Sequence, residues 1–122
     1  MILADTSIWI EYLRGRMPDM RNLVQTGKIA MHPFVAAEMA LGSIQDRRKI
    51  LAIMDMLYHV NVAQVSEVRR MVEAQSLYSQ GIGLTDANLI ASCLITPGTQ
   101  LWTRDIPLKR VAQLLGIHAN LS

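Results

Sequence analysis

Four carboxylates in this 122-residue chain, Asp5, Glu38, Asp86 and Asp105, are candidates for a shared site. Carboxylates that converge repel one another unless their pKa values rise or a cation neutralises them. Ligands that are all oxygen favour a hard ion such as Mg²⁺ or Mn²⁺. Such an ion could activate water and stabilise the charge that develops when a phosphodiester bond is displaced.

The elements predicted around these residues bring three of them to one edge of a sheet. Asp5 follows the short apolar run that starts at Met1, and Asp105 follows a strand predicted over Thr99–Thr103. Asp86 is expected to begin a helix that runs through Leu94. Because parallel strands end at a common edge, where sites in open sheets lie, Asp5 and Asp105 should be neighbours that Asp86 can join.

Glu38 has a different setting, inside a helix predicted over Phe34–Leu41. Every other residue of that segment is apolar, so we expect this carboxylate to be partly buried and to need a partner.

Each carboxylate also has a purely structural explanation. Asp5 and Asp86 could be helix N-caps, because an Asp side chain accepts an unpaired amide hydrogen bond at that position. Ser7 and Thr85 are available as alternative caps beside Asp5 and Asp86. Asp105 could be a turn residue where the chain leaves a strand, and Glu38 could face solvent.

Short strands alternate with helices along the whole chain. This alternation predicts right-handed parallel crossovers and a sheet covered by helices on both faces, in an α/β domain that spans residues 1–122. The other predicted strands cover Lys28–Met31, His59–Val62 and Ile117–Leu121. The other predicted helices cover Ile8–Gly15, Pro18–Thr26, Gln45–Leu57, Val65–Ser79 and Ile106–Leu115.

Composition excludes several classes of protein. The chain is 51% hydrophobic and 18% charged, a balance that favours a folded domain over a disordered one. The single cysteine, Cys93, excludes an internal disulfide, and three scattered histidines do not form a zinc motif. No apolar run is long enough for a membrane span, and we expect a soluble, cytosolic protein.

Four segments together resemble the PIN-domain nucleases, and within them the small VapC-type toxins of prokaryotic toxin-antitoxin pairs. The segments are Ile2–Ile10, Ala37–Gly42, Leu84–Ala91 and Leu101–Asp105. The resemblance implies a three-layer α/β/α sandwich around a parallel sheet. It also implies an endonuclease that requires Mg²⁺ or Mn²⁺ and cuts single-stranded or structured RNA.

The same resemblance assigns roles to individual residues. Asp5, Asp86 and Asp105 would hold metal, and Glu38 would complete the acidic cluster and help to orient or deprotonate the attacking water. Thr6 and Thr103 match polar positions that line such sites. One departure is that Ile106-Pro107-Leu108 follows Asp105, where an aromatic residue often occurs.

A site that binds RNA needs positive charge around it, because phosphate contacts provide much of nucleic-acid affinity. Arg14 and Arg104 are the strongest candidates for substrate binding, since they are close in sequence to Asp5 and Asp105. Other candidates are Arg16, Arg47, Arg48, Lys49, Lys109 and Arg110. We expect Trp9, Trp102 and Cys93 in the core rather than at the site.

The apolar face from Ile50 to Leu57, with Met54 and Met56, is more apolar than a small monomer usually exposes. We expect it to bind a partner. The family resemblance implies a homodimer and a cognate antitoxin whose peptide covers the groove.

Two other functions remain open at this point. An aspartyl-phosphate phosphatase would use the Asp after the first strand as its nucleophile, but such enzymes usually carry a second Asp two residues later, where Ser7 stands here. A non-catalytic PIN-like scaffold that binds RNA or protein would be favoured if a carboxylate of the cluster were missing. All four are present.

Overall fold

The computed structural model describes residues 1–122 as a four-stranded parallel sheet with seven helices. The strands are β1 (Ile2–Ala4), β2 (Ile29–Met31), β3 (Tyr58–His59) and β4 (Gln100–Trp102). The helices are α1 (Thr6–Leu13), α2 (Pro18–Gln25), α3 (Pro33–Leu41), α4 (Arg47–Met56), α5 (Val65–Ala74), α6 (Leu84–Ile95) and α7 (Ile106–Leu114). The predicted α/β sandwich is confirmed.

The strand order is β3-β2-β1-β4, so the chain moves outward from β1 to β3 and then returns to the other side of β1. Right-handed crossovers in opposite directions place α1 to α4 on one face and the later helices on the other. The order reverses between β1 and β4, where Leu3 pairs with Leu101 and Ala4 with Trp102. This reversal is where ligand sites of open α/β sheets lie.

The sheet is buried between the two helical layers. Leu3, Ala30, Met31 and Leu101 are completely inaccessible to solvent, as expected of strands covered on both faces. The predictions for Trp9, Trp102 and Cys93 are confirmed, because all three are buried. Burial raises the pKa of the Cys93 thiol to about 12.

Several predicted boundaries were wrong for identifiable reasons. The helix predicted to Ser79 ends at Ala74, because Ser76 adopts a left-handed φ of 53° and the Leu77 amide donates back to the Val72 carbonyl. The strand predicted over His59–Val62 is the two-residue β3.

The structure also corrects the predicted last strand and the predicted exposure of the apolar face of α4. In place of a strand over Ile117–Leu121 there is one bridge between His118 and Leu101. The apolar face of α4 is turned toward the core rather than outward, since Met54 is fully buried while Met56 is 86% exposed. No helix is both long and apolar enough to cross a membrane.

Candidate active site

Asp5 and Asp105 lie at the point where the strand order reverses. The Asp5 amide donates to the Trp102 carbonyl at 3.0 Å, which continues the pairing of β1 with β4 by one residue. Asp5 therefore leaves β1 beside Thr103, and Asp105 follows two residues after Thr103, in the loop between β4 and α7. The predicted meeting of these two carboxylates at one sheet edge is confirmed.

Both carboxylates also cap helices. Asp5 Oδ1 accepts from the Ile8 amide at 3.2 Å at the start of α1, and Asp105 Oδ2 accepts from the Leu108 amide at 3.0 Å at the start of α7. Capping and a role in a site are not exclusive here, because a carboxylate has about four lone-pair positions. The caps fix the orientation of each side chain.

Two hydroxyl groups hold the buried Asp5 carboxylate. Ser7 Oγ donates to Oδ1 at 2.5 Å, and Thr103 Oγ1 donates to Oδ2. Each hydroxyl is itself oriented by a backbone amide, since Ser7 Oγ accepts from Arg104 N at 3.2 Å and Thr103 Oγ1 from Asp105 N at 3.0 Å. The loop after β4 thus positions the carboxylate that follows β1.

The pKa of Asp5 is raised above its usual value. Burial is the largest cause, the hydrogen bonds from Ser7, Thr103 and the Ile8 amide oppose it, and the charge of Asp105 adds to it. An ionised Asp5 is therefore costly in the folded protein unless positive charge comes close.

Asp86 interacts electrostatically with Asp5 and Asp105. It is not a helix N-cap, as had been considered from the sequence. It is the third residue of α6, which begins at Leu84 and not at Asp86, and its Oδ2 accepts from the Gly83 amide at 3.4 Å. Burial, together with the charges of Asp105, Asp5 and Glu38, raises the pKa of Asp86. Its carboxylate thus experiences the charges of the other three acidic residues.

Glu38 stands at the rim of this cluster. The expectation of partial burial was wrong, because Glu38 is exposed on α3. Only one face of that short helix packs inward, through Val35 and Met39. Thr6, the first residue of α1, donates its hydroxyl to Glu38 Oε1 at 3.4 Å. Thr6 therefore links the rim carboxylate to the helix that Asp5 caps.

The donor set fits a hard divalent cation. It consists of carboxylate oxygens, with Oδ1 of both Asp86 and Asp105 outside the hydrogen bonds described above. The pKa values of Asp5 and Asp86 are raised because their ionised forms are destabilised in the folded protein. A bound cation would stabilise those ionised forms. With the side chains as they stand, no three acidic, His or Cys side chains are grouped closely enough to hold one ion.

The predicted basic residues divide into two groups. Arg104 lies beside the site, since its amide donates to Ser7 Oγ, and Arg14, Arg16 and Arg104 all approach Glu11 on α1. Arg47 has a structural role instead, since its guanidinium donates to the Gly42 carbonyl at 3.1 Å and to the Ala40 carbonyl, at the end of α3.

Sequence reasoning missed the role of Ser7, which it treated only as an alternative cap. The signal was the position of a hydroxyl two residues after a carboxylate that ends a strand, a spacing that allows a local hydrogen bond. Glu11 was not singled out, and only its spacing from Arg14, three residues along a helix, indicated an ion pair.

The strand order reverses between β1 and β4, and we call this position the switch point of the sheet. A doubly wound parallel sheet with an acidic cluster at its switch point is the architecture of a nuclease of the PIN class. The family model described as "PIN domain" matches residues 2–114, and the chain belongs to this family. It is 40% identical over 117 residues to the protein named Ribonuclease VapC32 in two strains of Mycobacterium tuberculosis, CDC 1551 / Oshkosh and H37Rv. The alignment covers 96% of this chain and 94% of each relative.

Proposed function

We propose that this protein is a metal-dependent endoribonuclease that acts as the toxin of a toxin-antitoxin pair. The observation that carries the proposal is that Asp5 and Asp105 follow neighbouring strands where the order of a PIN-domain sheet reverses, and that their charges and that of Glu38 act on Asp86. The likeness to Ribonuclease VapC32 supports RNA as the substrate.

Asp5, Asp86 and Asp105 would hold the ion, which we propose is Mg²⁺ or Mn²⁺. When bound, a divalent cation lowers the pKa of water and stabilises the charge that grows on the phosphate. Asp5 is the most rigid member of the set, because Ser7, Thr103 and the Ile8 amide all bind its oxygens. Rigid positioning reduces the reorganisation that the reaction requires.

Glu38 is suited to orient the attacking water and accept its proton. Its carboxylate is exposed, so it can exchange that proton with solvent, and Thr6 restrains one of its oxygens. In this scheme the hydroxyls of Thr6 and Thr103 hold the carboxylates of Glu38 and Asp5 by hydrogen bonds. Arg14 and Arg104 bind the substrate's phosphates.

The phosphatase alternative receives no support from the geometry of Asp5. Such a phosphatase usually carries a second Asp two residues after its nucleophile, whereas Ser7 stands there and donates its hydroxyl to Asp5 Oδ1. Asp5 is also buried. These contacts suit a fixed ligand better than a nucleophile.

We also propose two associations. A cognate antitoxin protein would neutralise the toxin, and a homodimer would be the working assembly. Exposed apolar side chains, which include Val65, Tyr78 and Leu84, are available for such contacts. We further propose that the protein acts in the cytoplasm, where cellular RNA is accessible.

The test is RNA cleavage by purified protein with Mg²⁺ or Mn²⁺, repeated in excess chelator. We expect chelator to abolish cleavage, and Asp86→Asn to abolish it while the fold persists. Asp55→Asn on the exposed side of α4 is the charge-matched control and should cleave normally. Undiminished cleavage in chelator would overturn the metal-dependent reaction, and RNA binding without cleavage in any metal would favour the scaffold.

A further inference from the structure

Three arginines surround one glutamate beside the acidic site. Nη1 of Arg14 lies 3.5 Å from Glu11 Oε1, while Nη1 of Arg16 and Nη1 of Arg104 lie 3.6 and 3.7 Å from Oε2. The Glu11 side chain is 18% exposed, whereas the three arginine side chains are 44 to 64% exposed. We call this group the Glu11 arginine cluster, and its formal charge is positive by two.

The end of α1 explains why Arg16 turns back to Glu11. Gly15 adopts a φ of 74°, and its amide donates to the Tyr12 carbonyl at 3.0 Å. The Arg16 amide donates to the Glu11 carbonyl at 2.9 Å. This pair of bonds is the Schellman arrangement, which glycine favours because it accepts a left-handed conformation. It brings residue 16 back beside residue 11.

The cluster has a fixed position relative to the acidic site. Ser7 and Glu11 are one helical turn apart on the same face of α1, and both contact Arg104. Ser7 Oγ accepts from the Arg104 amide, and Glu11 pairs with the Arg104 guanidinium. Because Ser7 also donates to Asp5, the cluster lies about one turn, or about 6 Å along the helix axis, from the network that holds Asp5.

The pairing within the cluster leaves binding capacity unused. Tight arginine-carboxylate pairs have N to O distances of about 2.7 to 2.9 Å, so contacts of 3.5 to 3.7 Å are loose. A guanidinium has five N–H donors, and for Arg104 only Nε is engaged elsewhere, with the Ser122 carbonyl at 3.1 Å. A cleft of about 200 Å³ adjoins the cluster and is lined by Arg16 and Arg104 together with Asp19, while Arg14 lies outside its lining.

We propose that Glu11 is a positioning residue that holds Arg14, Arg16 and Arg104 as a subsite for one backbone phosphate of the RNA. The bound phosphate would be a neighbour of the one that is cleaved, on the same strand. This inference rests on the proposed function for its choice of RNA as the ligand. It adds Arg16 and Glu11 to the substrate-binding residues.

The experiment separates binding from cleavage. Binding of a labelled single-stranded RNA of mixed sequence is measured in excess chelator over a range of salt concentrations, and cleavage is measured separately with Mn²⁺. Arg14→Gln and Arg16→Gln are compared with Arg70→Gln, an exposed arginine on α5. A polyglutamate peptide serves as the competing acidic probe.

We expect Arg14→Gln and Arg16→Gln each to weaken RNA binding about twofold to fivefold, as for an exposed ion pair. Each should also reduce the slope of log affinity against log salt by about 0.7, the value for one phosphate contact on a single strand. In cleavage, the main effect should be a rise in KM, because Glu11 still positions the two remaining arginines. Arg70→Gln should alter none of these quantities.

Glu11→Gln distinguishes positioning from simple charge. It keeps all three arginines and removes one negative charge, so the RNA should bind at least as tightly. We expect kcat to fall, because the phosphate is no longer held in register with the cleaved bond. A merely destabilised protein would instead lose affinity and activity together.

Failure of this inference and failure of the proposed function give different results. Normal salt slopes in both arginine variants, or no RNA binding by the parent protein at low salt, would overturn the phosphate subsite. The same holds if these variants lose only polyglutamate binding, which would indicate an acidic protein partner. If the parent binds RNA through these arginines but never cleaves it, the subsite stands and the nuclease assignment fails.

Discussion

The Thr103 hydroxyl donates to Asp5 Oδ2 across 98 residues of sequence and joins the ends of β4 and β1. The same hydroxyl accepts from the Asp105 amide. One side chain therefore orients the buried carboxylate and the loop that carries its exposed neighbour. This dual contact explains why a threonine, with both a donor and an acceptor, suits the position.

Thr103→Val keeps the shape of the side chain and removes both contacts. We expect the free energy of unfolding to fall by about 1 to 3 kcal/mol, because Asp5 Oδ2 and the Asp105 amide lose a partner. The pKa of Asp5 should rise further, since the lost hydrogen bond lowers it in the native protein. The acidic limb of the kcat/KM profile should move to higher pH. Thr103→Ser is the control and should restore both properties, and a valine variant with an unchanged profile would contradict the link.

Asp86→Asn should stabilise the metal-free protein while it abolishes cleavage. Burial and three neighbouring negative charges disfavour the ionised carboxylate, and an amide removes that cost. The Asn oxygen can still accept from the Gly83 amide. We expect a gain of at most about 1 kcal/mol at neutral pH, or about 4 °C in Tm, by thermal unfolding in chelator. Asp55→Asn should leave Tm unchanged, and a lower Tm for Asp86→Asn would indicate a structural role for the carboxylate.

The sequence predicted the edge that the carboxylates share, because the carboxyl ends of parallel strands lie at one edge of a sheet, but it did not predict that β1 and β4 are neighbours. It could not predict how Asp5 is held, since that depends on the Thr103 contact across the switch point. The error at Glu38 has a related cause. An apolar segment predicts a buried helix, but the depth of each side chain depends on which neighbours cover it, and α3 leaves Glu38 exposed.

The apolar face of α4 gives the opposite error, because a surface expected to be exposed packs against the core. Its apolar face looked available for a partner, yet Ile50, Leu51 and Leu57 pack against the core, and Met54 is buried. A periodic pattern identifies the apolar side of a helix but not whether that side meets its own domain or another protein.

Cys93 should report on global opening of the fold. It is buried in α6, and its pKa is raised to about 12, so almost no thiolate forms near neutral pH. A thiol reagent at pH 8 should therefore react slowly with the native protein and rapidly in denaturant. The measurement is the alkylation rate against denaturant concentration. Fast labelling of the native protein would show that α6 opens locally.

His32 should contribute an increase in stability with pH between about 4 and 6.5, which the raised pKa values of Asp5 and Asp86 oppose. Its side chain is inaccessible to solvent, and Nδ1 accepts from the Phe34 amide at 2.9 Å at the start of α3. Burial, and to a lesser degree the charge of His59, lowers the pKa of His32 from 6.5 to about 4. Between these two pH values His32 is protonated in the unfolded chain but neutral in the folded chain.

The stabilisation from a neutral His32 is fully present above pH 6.5 and is lost as the pH falls toward 4. Over 2.5 pH units the loss amounts to about 3 kcal/mol in the free energy of unfolding, at about 1.4 kcal/mol per unit. His32→Asn retains a capping oxygen for the Phe34 amide but does not titrate. The variant will differ in absolute stability, so the informative quantity is the slope against pH from denaturant unfolding. We expect that slope to be smaller in the variant between pH 4 and 6.5, and equal slopes would mean that His32 is protonated equally in the folded and unfolded chains.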